Sequence, residues 1–285
     1  MTGAESGPID ITVGPDGALW FAAFDGNSIG RLTASGVATA FELPSASSRP
    51  DSIAAGPDGA LWFTELGGNR VGRITLDGTI TEYALPAPDS QPISIARGTD
   101  GNLWFTLQTA QAIGRITTSG IITEYTLPSP NSNPGAITDG PDGAMWFVET
   151  GGSRIGRIST GGVISEYAVP TLNSAPYGIT SGPDGALWFT ERAAKIGRIT
   201  TAGTITEYPL PSPTAEPMAI IAGPNGALWF QEQNAMGSIT TAGAIRAIPI
   251  SQINTGSLDG ITVGPDGALW FTERIANSIG RLQLP

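Results

Sequence analysis

The chain contains no histidine and no cysteine. The first absence removes the usual general base near neutral pH and the commonest metal ligand. The second removes disulfides, thiolate metal chemistry and a cysteine nucleophile, and with them any inference about redox compartment. Any active site would have to be built from carboxylates, tyrosines, hydroxyls or backbone. Basic residues are scarce, 14 Lys and Arg against 25 Asp and Glu for a net charge of -11, and they form no run that would follow a phosphate backbone. Nucleic acid is therefore not an expected partner. Long apolar runs are missing too: nothing approaches the roughly 18 residues of a membrane span. The opening "MTGAESGPID" lacks the basic and apolar regions of a signal peptide. A soluble chain with no membrane partner is expected, either cytoplasmic or exported after trimming.

What is present is repetition, the first property to test in a chain of 285 residues. Tryptophan occurs at Trp20, Trp62, Trp104, Trp146, Trp188, Trp229 and Trp270, at intervals of 42 or 41 residues, and nowhere else. Between residues 50 and 85 one unit reads "DSIAA", "GPDG", "ALWFTE", "LGGN", "RVGRIT", "LDG", "TITEYAL". The apolar and β-branched runs are short, bounded by Gly, Pro, Asp and Asn, and lack a 3.6-residue period, so they read as strands. Four strands in about 42 residues, seven times over, predict an all-β, seven-bladed β-propeller of four-stranded antiparallel blades. The blades fall at about 8–44, 50–86, 92–128, 134–170, 176–211, 217–250 and 258–285 of a single domain, 1–285. A parallel β-helix would need shorter coils, and a leucine-rich repeat its asparagine ladder.

With strands named A to D from the axis outward, the Asp-Gly of "GPDG" is the A–B hairpin turn rather than a calcium loop. The Trp-Phe pair places aromatics on opposite faces of strand B, to pack between blades. Tyr83, Tyr125, Tyr167 and Tyr208 share a packing slot on strand D. Glutamate ends strand B at Glu65, Glu149, Glu191, Glu232 and Glu273, and arginine lies on strand C at Arg31, Arg73, Arg115, Arg157, Arg198 and Arg281. The two sets are expected to pair across adjacent strands. Blade seven ends at "QLP" before any "ITEYxLP", so its outer strand is expected to be missing. The chain is expected to be monomeric, with an open edge that invites pairing with another chain.

The units "GPDGALWFTE … IGRIT … G … ITEYxLP" resemble the blades of streptogramin B lyases, also called virginiamycin B lyases, over essentially the whole chain. The resemblance implies a seven-bladed propeller that linearises a cyclic depsipeptide antibiotic by magnesium-dependent elimination. In that family a histidine follows the proline entering strand A of blades six and seven; the matching residues are Met218 and Asp259. The family's metal-bearing glutamates correspond to Ser257 and Arg274, with Glu273 one position before the latter, and its blade-one tyrosine corresponds to Ile9. A frame shifted by one blade matches Glu216 and Pro217, with Glu232 as second carboxylate, making Glu216 and Glu232 the weak metal candidates. An elimination needs a base and a charge that stabilises the developing enolate, and no base stands at these positions.

Strand A leaves the D–A loop and strand B returns to the same face, so the residue after each proline and the end of each strand B are expected on one rim of the channel. The ring after the proline reads Ile9, Asp51, Ile93, Gly135, Tyr177, Met218 and Asp259, and no two neighbouring blades agree. The rim candidates for ligand binding are Asp51, Tyr177, Glu216, Met218, Glu232, Asp259 and Arg274. The expected function is a noncatalytic or catalytically degenerate lyase-like propeller that binds a small molecule, peptide or glycan through this rim, without a cofactor. The alternatives are a carbon–oxygen lyase acting on streptogramin B-type depsipeptides with Mg2+, and an engineered or consensus-like propeller without a ligand.

Overall fold

In the computed structural model, which describes residues 6–232, 235–249 and 258–284, the strands form seven antiparallel sheets in which chain neighbours are sheet neighbours. Six sheets have four strands. Among the described residues the seventh has three, Ile261–Val263, Leu269–Glu273 and Ser278–Leu282. Blade two sets the pattern with strand A at Pro50–Ala55, B at Leu61–Glu65, C at Arg70–Ile74 and D at Ile80–Ala84.

Strand B is the buried centre of each blade, and its two aromatics point to opposite faces, as the period of two requires. Each tryptophan packs on the phenylalanine of the following blade: Trp20 with Phe63, Trp62 with Phe105, Trp146 with Phe189. The wheel closes when Trp270 of blade seven packs against Ile11 and Phe21 of blade one. Each such aromatic contributes roughly 1.5–3 kcal/mol by leaving water. The phenylalanine also dictates the glycine of "IGR": a Cβ added at Gly72 would lie 2.1 Å from the Phe63 ring.

The expected glutamate–arginine pairs do not form. Arg73 sits fourth in strand C, opposite Trp62 rather than Glu65. Its guanidinium lies 5.9 Å from the Trp62 ring centroid and its Nε donates to Asp58 Oδ2 at 2.7 Å. Trp62 Nε1 donates to the other oxygen of Asp58 at 3.0 Å. The turn aspartate therefore ties an indole and a guanidinium together, besides making the hairpin. The same unit recurs around Asp16, Asp142, Asp184 and Asp266. The glutamate instead faces the first residue of strand C, as in Glu65–Arg70 and Glu149–Arg154.

Candidate functional site

Strand A is irregular where it enters the blade. In blade two Pro50 pairs with Glu65 and Ile53 with Phe63, so Asp51 and Ser52 together stand opposite Thr64. Equivalent register shifts occur in blades one, three, four and five. Such a bulge breaks strict alternation and re-aims side chains. Two successive residues of one strand therefore reach the channel mouth: Asp51 with Ser52, Ile93 with Ser94, Tyr177 with Gly178.

The bulge is fixed from both sides. Thr64 Oγ1 accepts from Ser52 N at 3.0 Å and donates to the Ile93 carbonyl of the next blade at 2.8 Å. Thr272 does the same with Gly260 N and, across the closure, with the Ile9 carbonyl. Upstream, the D–A loop holds two residues at positive φ, such as Ser47 at 57° and Arg49 at 51°, around the buried Ser48, whose hydroxyl donates to the Ser45 carbonyl. The rim is preorganised by blade-to-blade hydrogen bonds.

The cavity so framed has a volume of about 450 Å³. One arc is acidic. Asp10 accepts from Ile53 N, Ser52 Oγ and Ile11 N, and these bonds only partly offset the desolvation that raises its pKa. Asp51, half-buried beside it, is pushed up to about 7 by burial and by the charges of Asp10 and Asp259, against the pull of Arg274. The opposite arc carries Gln108, Asn133, Thr150, Tyr177 and Arg192. The Arg192 guanidinium stacks on Tyr177 at 4.2 Å from its centroid. Burial raises the Tyr177 pKa, Asp51 and Asp259 reinforcing the shift and Arg192 opposing it.

Of the rim candidates, Asp51, Tyr177 and Asp259 line this cavity. Arg274 stands at its edge, stacked on Phe24 at 4.3 Å and bound through two hydrogen bonds to Asp25, with Asp51 and Asp259 within its electrostatic reach. Met218, Glu216 and Glu232 do not line it. In blade six the neighbouring Ala219 does so, while the Met218 carbonyl accepts from Thr190 Oγ1. Glu216 is exposed, and half-buried Glu232 has its pKa raised by desolvation. Ser257 lies outside the described residues.

The strand-B ends are the second correction. Glu65, Glu149 and Glu191, like Leu107 of blade three, are fully buried inside their blades, and in blades three, four and five it is the next residue that lines the cavity: Gln108, Thr150, Arg192. A one-residue displacement in a strand reverses the face. The sequence held a signal for these positions. The residues after strand B read Phe24, Leu66, Gln108, Thr150, Arg192, Gln233 and Arg274, as diverse as the ring after the proline. Behind the rim the buried glutamates meet a second carboxylate. Burial, reinforced by Glu82, pushes Glu65 up to about 7, and burial with Glu207 pushes Glu191 up to about 8.

The residues that the resemblance to streptogramin B lyases matches to a metal site do not suit magnesium. Arg274 brings a cation where a carboxylate is needed, and hard divalent ions want several oxygen ligands. Among the described residues no three acidic side chains stand together as a metal site. No helix among the described residues is long and apolar enough to cross a membrane.

The sequence matches the virginiamycin B lyase family over residues 1–173 and 151–285. A streptogramin B lyase structure is 43% identical with a TM-score of 0.95, covering 100% of this chain and 96% of that one. A virginiamycin B lyase from Staphylococcus aureus is 42% identical, also at 0.95, covering 100% and 97%. A catalytically inactive histidine-to-alanine variant of the Staphylococcus aureus enzyme, with quinupristin, is 43% identical with the same score and coverage. Kuenenia stuttgartiensis hydrazine synthase, 15% identical with a TM-score of 0.80 over 100% and 97%, shares the fold alone. No curated protein matches.

Proposed function

Since the chain belongs to the virginiamycin B lyase family, we propose that it is a binding member of that family which has given up the elimination chemistry. The observation that carries this reading is the complete absence of histidine. A relative 43% identical is catalytically inactive once a single histidine becomes alanine. Here Met218 and Asp259 occupy the positions that correspond to the lyases' histidines, and Arg274 replaces a metal-bearing glutamate. The cavity then serves recognition. Asp51 and Asp259 form an anionic arc toward a cationic group, and Gln108, Asn133 and Thr150 offer hydrogen bonds to peptide or sugar.

Calorimetric titration at pH 8.5, where Asp51 is ionised, tests this with short lysine-containing peptides and neutral glycans. A cationic peptide is expected to bind, and Asp51→Asn to weaken it about tenfold, the loss of one charge-assisted contact. Absence of heat from every class removes the binding reading. Incubation with quinupristin and magnesium, read by mass spectrometry, is expected to return intact substrate; an isomeric linear product would refute the loss of catalysis.

A further inference from the structure

Two arginines follow a strand B on the rim, and the protein uses them differently. Arg274 donates two hydrogen bonds to Asp25. On strand C, Arg31, Arg73, Arg157, Arg198 and Arg281 each hold a turn aspartate at 2.7 Å. Arg192 lines the cavity, and among the described residues it has no carboxylate partner. Its main-chain N–H donates to the Ala175 carbonyl at 3.2 Å, and its guanidinium lies over the Tyr177 ring. Stacking occupies the face of a guanidinium and leaves N–H donors along its edge, the arrangement that receives a carboxylate through two parallel bonds.

Blades succeed one another around the wheel, so chain order is also order along the rim. Asp259 and Asp51 stand on blades seven and two, Gln108 on blade three, Asn133 and Thr150 on blade four, and Arg192 on blade five. The middle of this arc has hydrogen-bonding capacity to spare. The half-buried Gln108 side-chain amide is unpartnered among the described residues. Asn133 Oδ1 accepts from Gln111 Nε2 at 3.2 Å, which leaves the Asn133 NH2 to donate. Thr150 Oγ1 donates to the Pro176 carbonyl at 2.7 Å, which leaves its lone pairs to accept. Donors and acceptors of this kind match peptide groups. The two charged ends are near enough for one small ligand, because Tyr177, in contact with Arg192, feels the charges of both Asp51 and Asp259.

We propose that the rim takes a short peptide with a basic side chain and a free carboxyl terminus, the basic group against Asp51 and Asp259, the peptide groups along Gln108, Asn133 and Thr150, and the carboxylate on Arg192. The basic end rests on the anionic-arc reading of the cavity given above; the carboxylate end is independent of it and rests on Arg192. Because the protein carries a net charge of -11, an added carboxylate is repelled in general, so a preference for one reports a local cation.

Calorimetric titration of the full chain at pH 8.5 compares N-acetyl-Lys-Ala-Gly with its C-terminal carboxamide, each with the lysine side chain free or acetylated. With free lysine, the acid is expected to bind about tenfold more tightly than the carboxamide, the worth of one charge-assisted contact, and Arg192→Gln to bind the two alike. Equal affinity for acid and carboxamide, or a preference that survives Arg192→Gln, overturns the carboxylate contact; the anionic arc then still stands on a carboxamide whose binding needs the free lysine. Affinities that do not change on lysine acetylation overturn the anionic arc and the basic end with it. No heat from any of the peptides overturns both.

Discussion

Blades five and seven share the stretch "ALWFTE", at residues 186–191 and 268–273, and the two copies fare differently. Trp188 is fully buried beneath Tyr208, and Trp270 is half-buried with no aromatic over it among the described residues. Glu191 is sealed in with Glu207 and Lys195, while Glu273 accepts from the Ser278 hydroxyl and, among the described residues, faces no strand D. The Arg198–Asp184 pair leaves 24% and 19% of its side chains exposed, the Arg281–Asp266 pair 41% and 37%. The repeat therefore encodes a blade's internal geometry, and the fourth strand determines how far that geometry is removed from water.

The comparison is broken most severely at the tryptophan. Trp188→Ala leaves a large cavity between two closed blades and is expected to cost about 3–5 kcal/mol. Trp270→Ala, already part-hydrated, is expected to cost about 1–3 kcal/mol. Urea unfolding of both variants reads the difference. Equal losses would mean that the outer strand adds nothing to the burial of strand B.

The tryptophan spacing and the turn chemistry made the wheel legible, down to the three strands that blade seven has among the described residues, because one repeated aromatic position reports a whole blade. The site was harder to read. That Asp51 and Tyr177 face one cavity followed from their place after the proline. That Ser52 faces it as well depends on the bulge, which the Thr64 hydroxyl stabilises across two blades and which no local pattern marks. Met218 failed for a related reason: in blade six strand A is only Ile220–Ala222, and Ala219 takes the lining position. Arg73 meets the turn aspartate fifteen positions earlier rather than the expected glutamate, because cross-strand register places it there.

The second difference is pH-dependent. Glu191 titrates near its ordinary 4.5 in the unfolded chain but holds its proton to about 8 in the fold, because burial and the neighbouring Glu207 disfavour its charge. Between those values the folded state binds more protons. The stabilisation is therefore complete below 4.5 and is lost as pH rises through 8. Glu65, raised to about 7, adds a loss of the same sign at lower pH. Stability is expected to fall by several kcal/mol between pH 5 and pH 9, and Glu191→Gln with Glu65→Gln is expected to flatten most of that slope in urea titrations. A wild-type profile that is level over this range would show that the buried carboxylates are relieved by some other means.

The smallest difference concerns the turn aspartates. In blade five desolvation raises the Asp184 pKa, but hydrogen bonds from Trp188 and Arg198 together outweigh it and hold the carboxylate below its usual range. In blade seven the bond from Trp270 dominates, little burial opposes it, and Asp266 falls to about 2. The larger shift belongs to the more exposed ion pair, where water screens the attraction, so it does not mark the larger contribution to stability. Asp184→Asn is expected to cost about 1 kcal/mol at pH 7, since it weakens a hydrogen bond to a fully buried indole. Asp266→Asn is expected to cost a few tenths of a kcal/mol. A cost for Asp266→Asn that matches or exceeds that for Asp184→Asn in paired urea titrations would show that blade seven is closed in solution by a strand that shields this pair.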